Sequence, residues 1–189
     1  MKLLLVDLEC TGTNKDIHGI HQISGKIIIE GETKETFDYK VQPAFGSIYD
    51  PKALEVCGLT ENEIKSYTHM HVVYPLVLAM LCRYIDLNDD KDKFFIVGYN
   101  VYFDAGFLGK WFKLNNGIKF FKQLFWFNVI DVMILASNHL MYKRPEMENF
   151  KQGTVAKFLG IKIDDAKLHD GEYDINVCHQ IYDIVGGKY

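Results

Sequence analysis

The sequence predicts an α/β protein built on a mixed sheet, and three observations carry that expectation. Three strand-like stretches come first, at residues 3–10, 20–30 and 33–41. Two more apolar runs of strand length, 94–99 and 126–130, then alternate with helix-like segments. The second and third stretches are joined by Gly31-Glu32, a hairpin turn and so an antiparallel pair, whereas strand-helix alternation calls for crossovers and parallel pairing.

The first stretch reads Leu3-Leu4-Leu5-Val6-Asp7-Leu8-Glu9-Cys10-Thr11-Gly12-Thr13. An apolar run that ends in turn residues is a buried strand. Residues 20–30 alternate through Ile23, Ile27 and Ile29, and residues 33–41 are rich in Thr, Phe, Tyr and Val. Residues 43–50 read as a loop. Pro51 opens a short helix that Gly58 ends. Thr60-Glu61-Asn62-Glu63 is a capping box that starts another. Residues 68–86 form an apolar helix containing Pro75, and 88–93 a charged loop. A helix over 102–114 follows the fourth strand, and Asp131 caps a helix that runs to His139. Residues 142–153 read as a polar loop, 154–159 as a short helix and 171–185 as the last helix.

Length and composition narrow the class. The 189 residues suit one domain spanning 1–189. Hydrophobic content is 48% and charged content 24%, ordinary for a globular chain. A net charge of -4 excludes a polycationic coat for nucleic acid. No apolar stretch reaches membrane-spanning length and no signal peptide is visible, so a cytoplasmic location without membrane contact is expected. Cys10, Cys57, Cys82 and Cys178 are scattered with no CxxC pair, which suits reduced thiols better than disulfides or zinc.

Carboxylates carry the chemistry. Side chains alternate along a strand, so Asp7 and Glu9 share a face, about 7 Å apart along the chain. Two acids on one face of a buried strand are costly if left without a counter-charge, and a hard divalent cation relieves that cost. Asp104 is followed by Phe107, Leu108 and Trp111 at i+3, i+4 and i+7, which places it on the apolar stripe of its helix. Asp174 has Val177, Cys178 and Ile181 at the same offsets. A helix-start acid favoured by the macrodipole is the plain alternative for each. His169 is five residues before Asp174, a spacing that would face the two apart on one continuous helix, so His169 belongs to the preceding loop if the two meet.

Three motifs then resemble those of the DEDDh 3′–5′ exonucleases, the DnaQ-like proofreading-type group with a ribonuclease H-like fold. They are Asp7-Leu8-Glu9-Cys10-Thr11-Gly12, Asn100-Val101-Tyr102-Phe103-Asp104, and His169-Asp170-Gly171-Glu172-Tyr173-Asp174. Lesser similarities are Leu54-Glu55-Val56-Cys57-Gly58-Leu59-Thr60, Asp131 and Phe158-Leu159-Gly160-Ile161. The resemblance runs in order through nearly the whole chain. It implies a ribonuclease H-like mixed five-stranded sheet with helices on both faces. It also implies hydrolysis of the terminal phosphodiester of single-stranded DNA or RNA, or of frayed 3′ ends, releasing nucleoside 5′-monophosphates.

By the same resemblance two divalent cations, Mg²⁺ or Mn²⁺, are held by Asp7, Glu9, Asp104 and Asp174, and His169 is the general base. The terminal sugar is held around Leu8 and Thr11, and Asn100 steadies the second-motif loop or the substrate backbone. The implied partners are a nucleic-acid 3′ end and a polymerase or other replication or repair protein. Thr13 departs from the family, which often places an apolar wedge there. Tyr102 or Phe103 is a candidate for stacking on a base, and Lys143, Arg144 and Lys151 for contacting phosphates. Two alternatives stand beside the exonuclease: a haloacid-dehalogenase-like phosphatase with Asp7 as nucleophile, and a catalytically silent module that binds nucleic-acid ends.

Overall fold

A computed structural model describes residues 1–167 and 170–186. Strand β1 (Lys2–Cys10) lies at the centre of a five-stranded sheet of order β3-β2-β1-β4-β5. It runs antiparallel to β2 (Ile20–Ile29) and parallel to β4 (Phe95–Gly98). β3 (Glu32–Lys40) closes the hairpin with β2, and β5 (Ile130–Asp131) runs parallel to β4. The mixed sheet is therefore present as expected, and its strand order makes it ribonuclease H-like.

Alternation along β1 divides the core in two. Leu4, Val6 and Leu8 pack with Val73 and Val77 of α3 (Met70–Cys82) and with Phe107 and Trp111 of α4 (Tyr102–Leu114). Leu3 and Leu5 pack on the other face, against α6 (Val132–His139), α7 (Gln152–Phe158) and α8 (Gly171–Val185). Helices thus cover both faces, which is why β1 can be apolar at consecutive positions.

Local signals fix several element ends. Asp50 caps α1 (Pro51–Cys57), whose C-cap Gly58 adopts φ +65, a left-handed conformation glycine tolerates without strain. Thr60 and Glu63 form the capping box of α2 (Glu61–Lys65). Asp131 caps α6 as expected.

Two expectations fail. A strand over 126–130 is not formed; β5 covers only Ile130–Asp131, preceded by an exposed Phe127. Trp126 N–H donates to Phe94 O at 2.9 Å, but ladder pairing with β4 starts only at Ile130, so the intervening apolar run has no partner strand. Residues 118–124 form a helix, α5 (Ile118–Leu124), because Leu124 and Phe121 pack into the aromatic cluster around Phe112. The long helix is also shorter than 68–86, ending at Cys82. No helix among the described residues is long and apolar enough to cross a membrane.

Candidate active site

The three parallel strands β1, β4 and β5 end at one edge of the sheet, the edge at which open α/β sheets bind ligands. Asp7 and Glu9 stand at that end of β1, on the side of Leu3 and Leu5 that faces α8. Asp7 is half-buried. Desolvation raises its pKa well above the ordinary carboxylate value, and the charges of Asp104, Glu9 and Asp174 raise it further. Acids from three segments far apart in sequence therefore act on one carboxylate.

Asp104 reaches this place from α4. It is buried at 6% exposure, on the same stripe as Phe107, Leu108 and Trp111. Its Oδ1 accepts the backbone N–H of Leu8 at 3.0 Å. Burial pushes its pKa up to about 7; hydrogen bonds from the backbone of Leu8 and of Asp104 itself oppose the rise, and Glu9 and Asp131 add to it. The close approach needs a small residue where β4 ends. A Cβ on Gly98 would stand 2.9 Å from Val6 O and 3.0 Å from Val101 Cγ2.

Asp174 reaches it from the first turn of α8, whose N-cap Asp170 accepts Tyr173 N–H at 3.0 Å. Val177, Cys178 and Ile181 are buried along the same stripe. Gly171 lets the helix start dock beside β1 and β2: a Cβ there would overlap Ser24 Oγ, lie 2.9 Å from Ser24 Cβ and come within 3.7 Å of Asp7 Oδ2. The Asp174 carbonyl accepts Gln152 Nε2 at 2.8 Å, which ties α7 to α8. The positive end of a 15-residue helix thus faces a group of carboxylates.

The remaining site candidates divide. His169 lies outside the described residues. Leu8 is buried and its N–H is already given to Asp104. Thr11 is fully buried; its hydroxyl donates to Ile48 O at 2.7 Å and accepts Gly19 N–H at 3.0 Å. That hydroxyl joins the loops after β1 and before α1 instead of facing solvent. Asn100 is exposed, at φ +61 in the turn between β4 and α4. Tyr102 is 65% exposed beside the site, whereas Phe103 packs on Phe107 with ring centroids 4.8 Å apart. Thr13 is exposed.

Among the basic candidates, Lys143 pairs with Glu146, and Arg144 donates to Met147 O at 2.9 Å. Lys151 instead lines a cavity of about 230 Å³ with Gln152, Thr154, Lys157, Asp165 and Asp174. The loop of Lys143 and Arg144 carries a 3-10 turn (Arg144–Glu146) that polarity alone does not announce. Two thiols also border the acids: burial and neighbouring carboxylates, Asp7 and Asp104 among them, raise the pKa of Cys10 and of Cys178.

Among the described residues no three carboxylate, imidazole or thiol groups stand close enough to close a ligand shell by themselves. The donor chemistry nonetheless fits hard divalent cations. Every acid acting on Asp7 offers carboxylate oxygens, and their mutual repulsion is what a cation offsets.

The sheet order and its covering helices define a ribonuclease H-like fold, with acids gathered at the ends of its parallel strands. Exonuclease I from E. coli, in complex with a dT13 oligonucleotide, has that fold: it matches 97% of this chain with a TM-score of 0.74 at 19% identity. A product-bound exonuclease I matches with a TM-score of 0.72 at 18% identity. Among curated proteins, the chain is similar to DNA polymerase III PolC-type of Clostridium perfringens, 26% identical over 171 residues, which is 87% of this chain. The PolC-type polymerase of Mycoplasmopsis pulmonis is 22% identical over 179 residues, 95% of this chain. No family model matches. The chain spans 10–11% of the length of these polymerases and 40% of the dT13-bound exonuclease I chain.

Proposed function

We propose that residues 1–189 form one 3′–5′ exonuclease domain that hydrolyses terminal phosphodiesters to nucleoside 5′-monophosphates. The observation that carries this is geometric: Asp104 accepts the N–H of Leu8, between Asp7 and Glu9, and the start of α8, which bears Asp174, lies against Asp7. Four carboxylates drawn to one sheet edge destabilise each other unless cations join them, and that arrangement suits phosphoryl chemistry.

In this reading Asp7, Glu9, Asp104 and Asp174 would hold the two cations, Asp7 contributing to both, Glu9 and Asp174 to the one on the side of the attacking water, and Asp104 to the other. When bound, Mg²⁺ or Mn²⁺ supplies charge neutralisation and Lewis-acid polarisation of the phosphate and the water. His169 is assigned the proton of the attacking water, because an imidazole is the side chain suited to base work near neutral pH. The water oxygen bonds to phosphorus as the bond to the 3′ oxygen breaks. Lys151, at the cavity beside Asp174, neutralises a backbone phosphate.

The substrate is a single-stranded 3′ end. The dT13 bound by exonuclease I favours DNA, with RNA as the alternative. Exonuclease I is also known in complex with SSB, and the curated relatives are polymerases, so a polymerase or SSB is the partner class we assign. A phosphatase could use Asp170 and Asp174 but would leave the Asn100–Asp104 motif and His169 unused, with no reason for Asp104 to act on Asp7, which disfavours that alternative.

The test uses single-stranded DNA and RNA labelled at the 5′ end. Stepwise shortening from the 3′ end, release of nucleoside 5′-monophosphates and full loss with EDTA are the expected results. Binding without shortening at any Mg²⁺ or Mn²⁺ concentration would favour the silent module. A trapped aspartyl-phosphate on Asp7 would favour the phosphatase.

A further inference from the structure

Asp131 makes one more bond than a helix cap requires. Its Oδ1 accepts Met133 N–H at 2.9 Å and Ile134 N–H at 3.4 Å, the ordinary contacts of an N-cap on α6. The same oxygen accepts Asn100 N–H at 3.1 Å, across 31 residues of sequence. Asp131 is 6% exposed and ends β5, whose pairing with β4 closes on Gly98 opposite Asp131.

Asn100 is in turn an unusual residue. It adopts φ +61, a left-handed conformation that asparagine visits more readily than other residues with a side chain and that sets a sharp turn here. From it the chain reverses into α4: Phe103 N–H donates to Asn100 O at 3.1 Å and Ala105 N–H to Val101 O at 2.8 Å. One helical turn on, Asp104 receives the N–H of Leu8. A continuous series of hydrogen bonds and rigid turns thus links Asp131 on β5 to Leu8 on β1.

We infer that Asp131 is a positioning residue for Asp104: its carboxylate holds the left-handed turn at Asn100, and that turn sets where Asp104 meets β1. The inference rests on the exonuclease assignment for its functional meaning, though not for its geometry. A capping role alone would need only the amides of Met133 and Ile134. The third bond is the one that reaches the site.

Two substitutions separate these roles. Asp131→Ser keeps a good N-cap, and with it the fold, but its short side chain no longer reaches Asn100. Asp131→Asn keeps a carbonyl oxygen of the same reach and loses only the charge. The first readout is amide hydrogen exchange, which needs no substrate. Asp131→Ser is expected to speed exchange at Leu8 by about tenfold, the loss of roughly one hydrogen bond, with Met133 and Ile134 still protected. Asp131→Asn is expected to restore Leu8 protection.

The second readout is turnover: Asp131→Ser should lower kcat by about 10²-fold with little change in KM, as a displaced catalytic group does, and Asp131→Asn should recover most of it. Unchanged exchange at Leu8 in Asp131→Ser overturns the inference, as does Asp131→Asn exchanging as fast as Asp131→Ser. A wild-type chain that degrades no 3′ end removes the exonuclease assignment alone, because Leu8 exchange still decides whether Asp131 positions Asp104.

Discussion

Leu8 and Asp104 are 96 residues apart in sequence, yet the backbone N–H of Leu8 donates to Asp104 Oδ1 at 3.0 Å. Leu8 is the residue between Asp7 and Glu9, so this bond brings the acid of α4 up to the strand between the two acids it carries. It also leaves the Leu8 amide with a partner inside the protein. The sequence resemblance assigns the backbone around Leu8 and Thr11 to the terminal sugar; in the fold the N–H of Leu8 is given to Asp104.

Removing the central charge should separate stability from activity. Asp7→Asn deletes the carboxylate whose pKa is raised by burial and by its three acidic neighbours. The cation-free variant is expected to melt a few degrees higher than wild type at pH 7, about 2–4 °C per kcal/mol for a chain of this size. Turnover should fall by at least about 10²-fold, and Mn²⁺ binding by calorimetry should weaken sharply. Equal melting temperatures and retained Mn²⁺ affinity would refute the convergence of charge on Asp7.

Asp104 gives a pH dependence of definite sign. Its folded pKa is pushed up from 3.8 to about 7, so between those values the folded state binds more protons than the unfolded state. Its contribution to stability is complete below about pH 4 and is lost as pH rises through about 7. The loss is roughly 4 kcal/mol at most, three pKa units at 1.36 kcal/mol each. His21 acts in the opposite sense. It is 1% exposed, and burial first, then Lys40, lower its pKa to about 4, so it adds stability as pH rises from about 4 to 6.5. The difference between wild type and Asp104→Asn cancels the His21 contribution. Without cations, Asp104→Asn should gain on wild type from pH 4 to about pH 7 and level off above it in urea melts, and a difference flat across that range would contradict the raised pKa.

His169→Ala tests the base. Turnover is expected to drop about 10²–10⁴-fold with Mn²⁺ affinity held, because a general base acts on the water and not on the ions. Activity equal to wild type would take His169 out of the mechanism.

Gly171→Ala tests the docking of α8. Its methyl group would overlap Ser24 Oγ and sit 2.9 Å from Ser24 Cβ, so the helix start must shift away from β1 and β2. A destabilisation of about 1–3 kcal/mol is expected, together with lower turnover because Asp174 moves with the helix. Full stability in denaturant melts would mean that this contact is not tight.

Thr11→Val replaces a hydroxyl with two partners by a methyl group of similar volume. The carbonyl of Ile48 and the amide of Gly19 lose their bonds inside the protein, and about 1–3 kcal/mol of stability should go with them. If stability is unchanged while affinity for the 3′ end falls, the hydroxyl serves substrate and not the loops.

Much of the scaffold was legible because local rules govern it. Alternation put Asp7 and Glu9 on one face of β1. The 3.6-residue period put Asp104 and Asp174 on apolar stripes, and capping chemistry marked Thr60, Gly58 and Asp131. Trp126 to Ile130 misled for a related reason: aromatic and β-branched residues favour a strand, but a strand also needs a neighbour, and β4 offers one only from Ile130. Ile118–Leu124 was missed because its helix is held by aromatic packing with Phe112, not by a clear polar face.

By itself the sequence determined most of the element types, though not Ile118–Leu124 or the extent of β5, together with the facing of each acid within its own element and the order of the three motifs. These follow from backbone geometry over a few neighbouring residues. The tertiary structure alone decided that β1 lies between β2 and β4, that Gly98 and Gly171 admit α4 and α8 to the same edge, and that Thr11 turns its hydroxyl inward. It alone also gave Asp131 a third bond, to Asn100. Each of these depends on which distant surfaces exclude water together, and no local period in the chain encodes that choice.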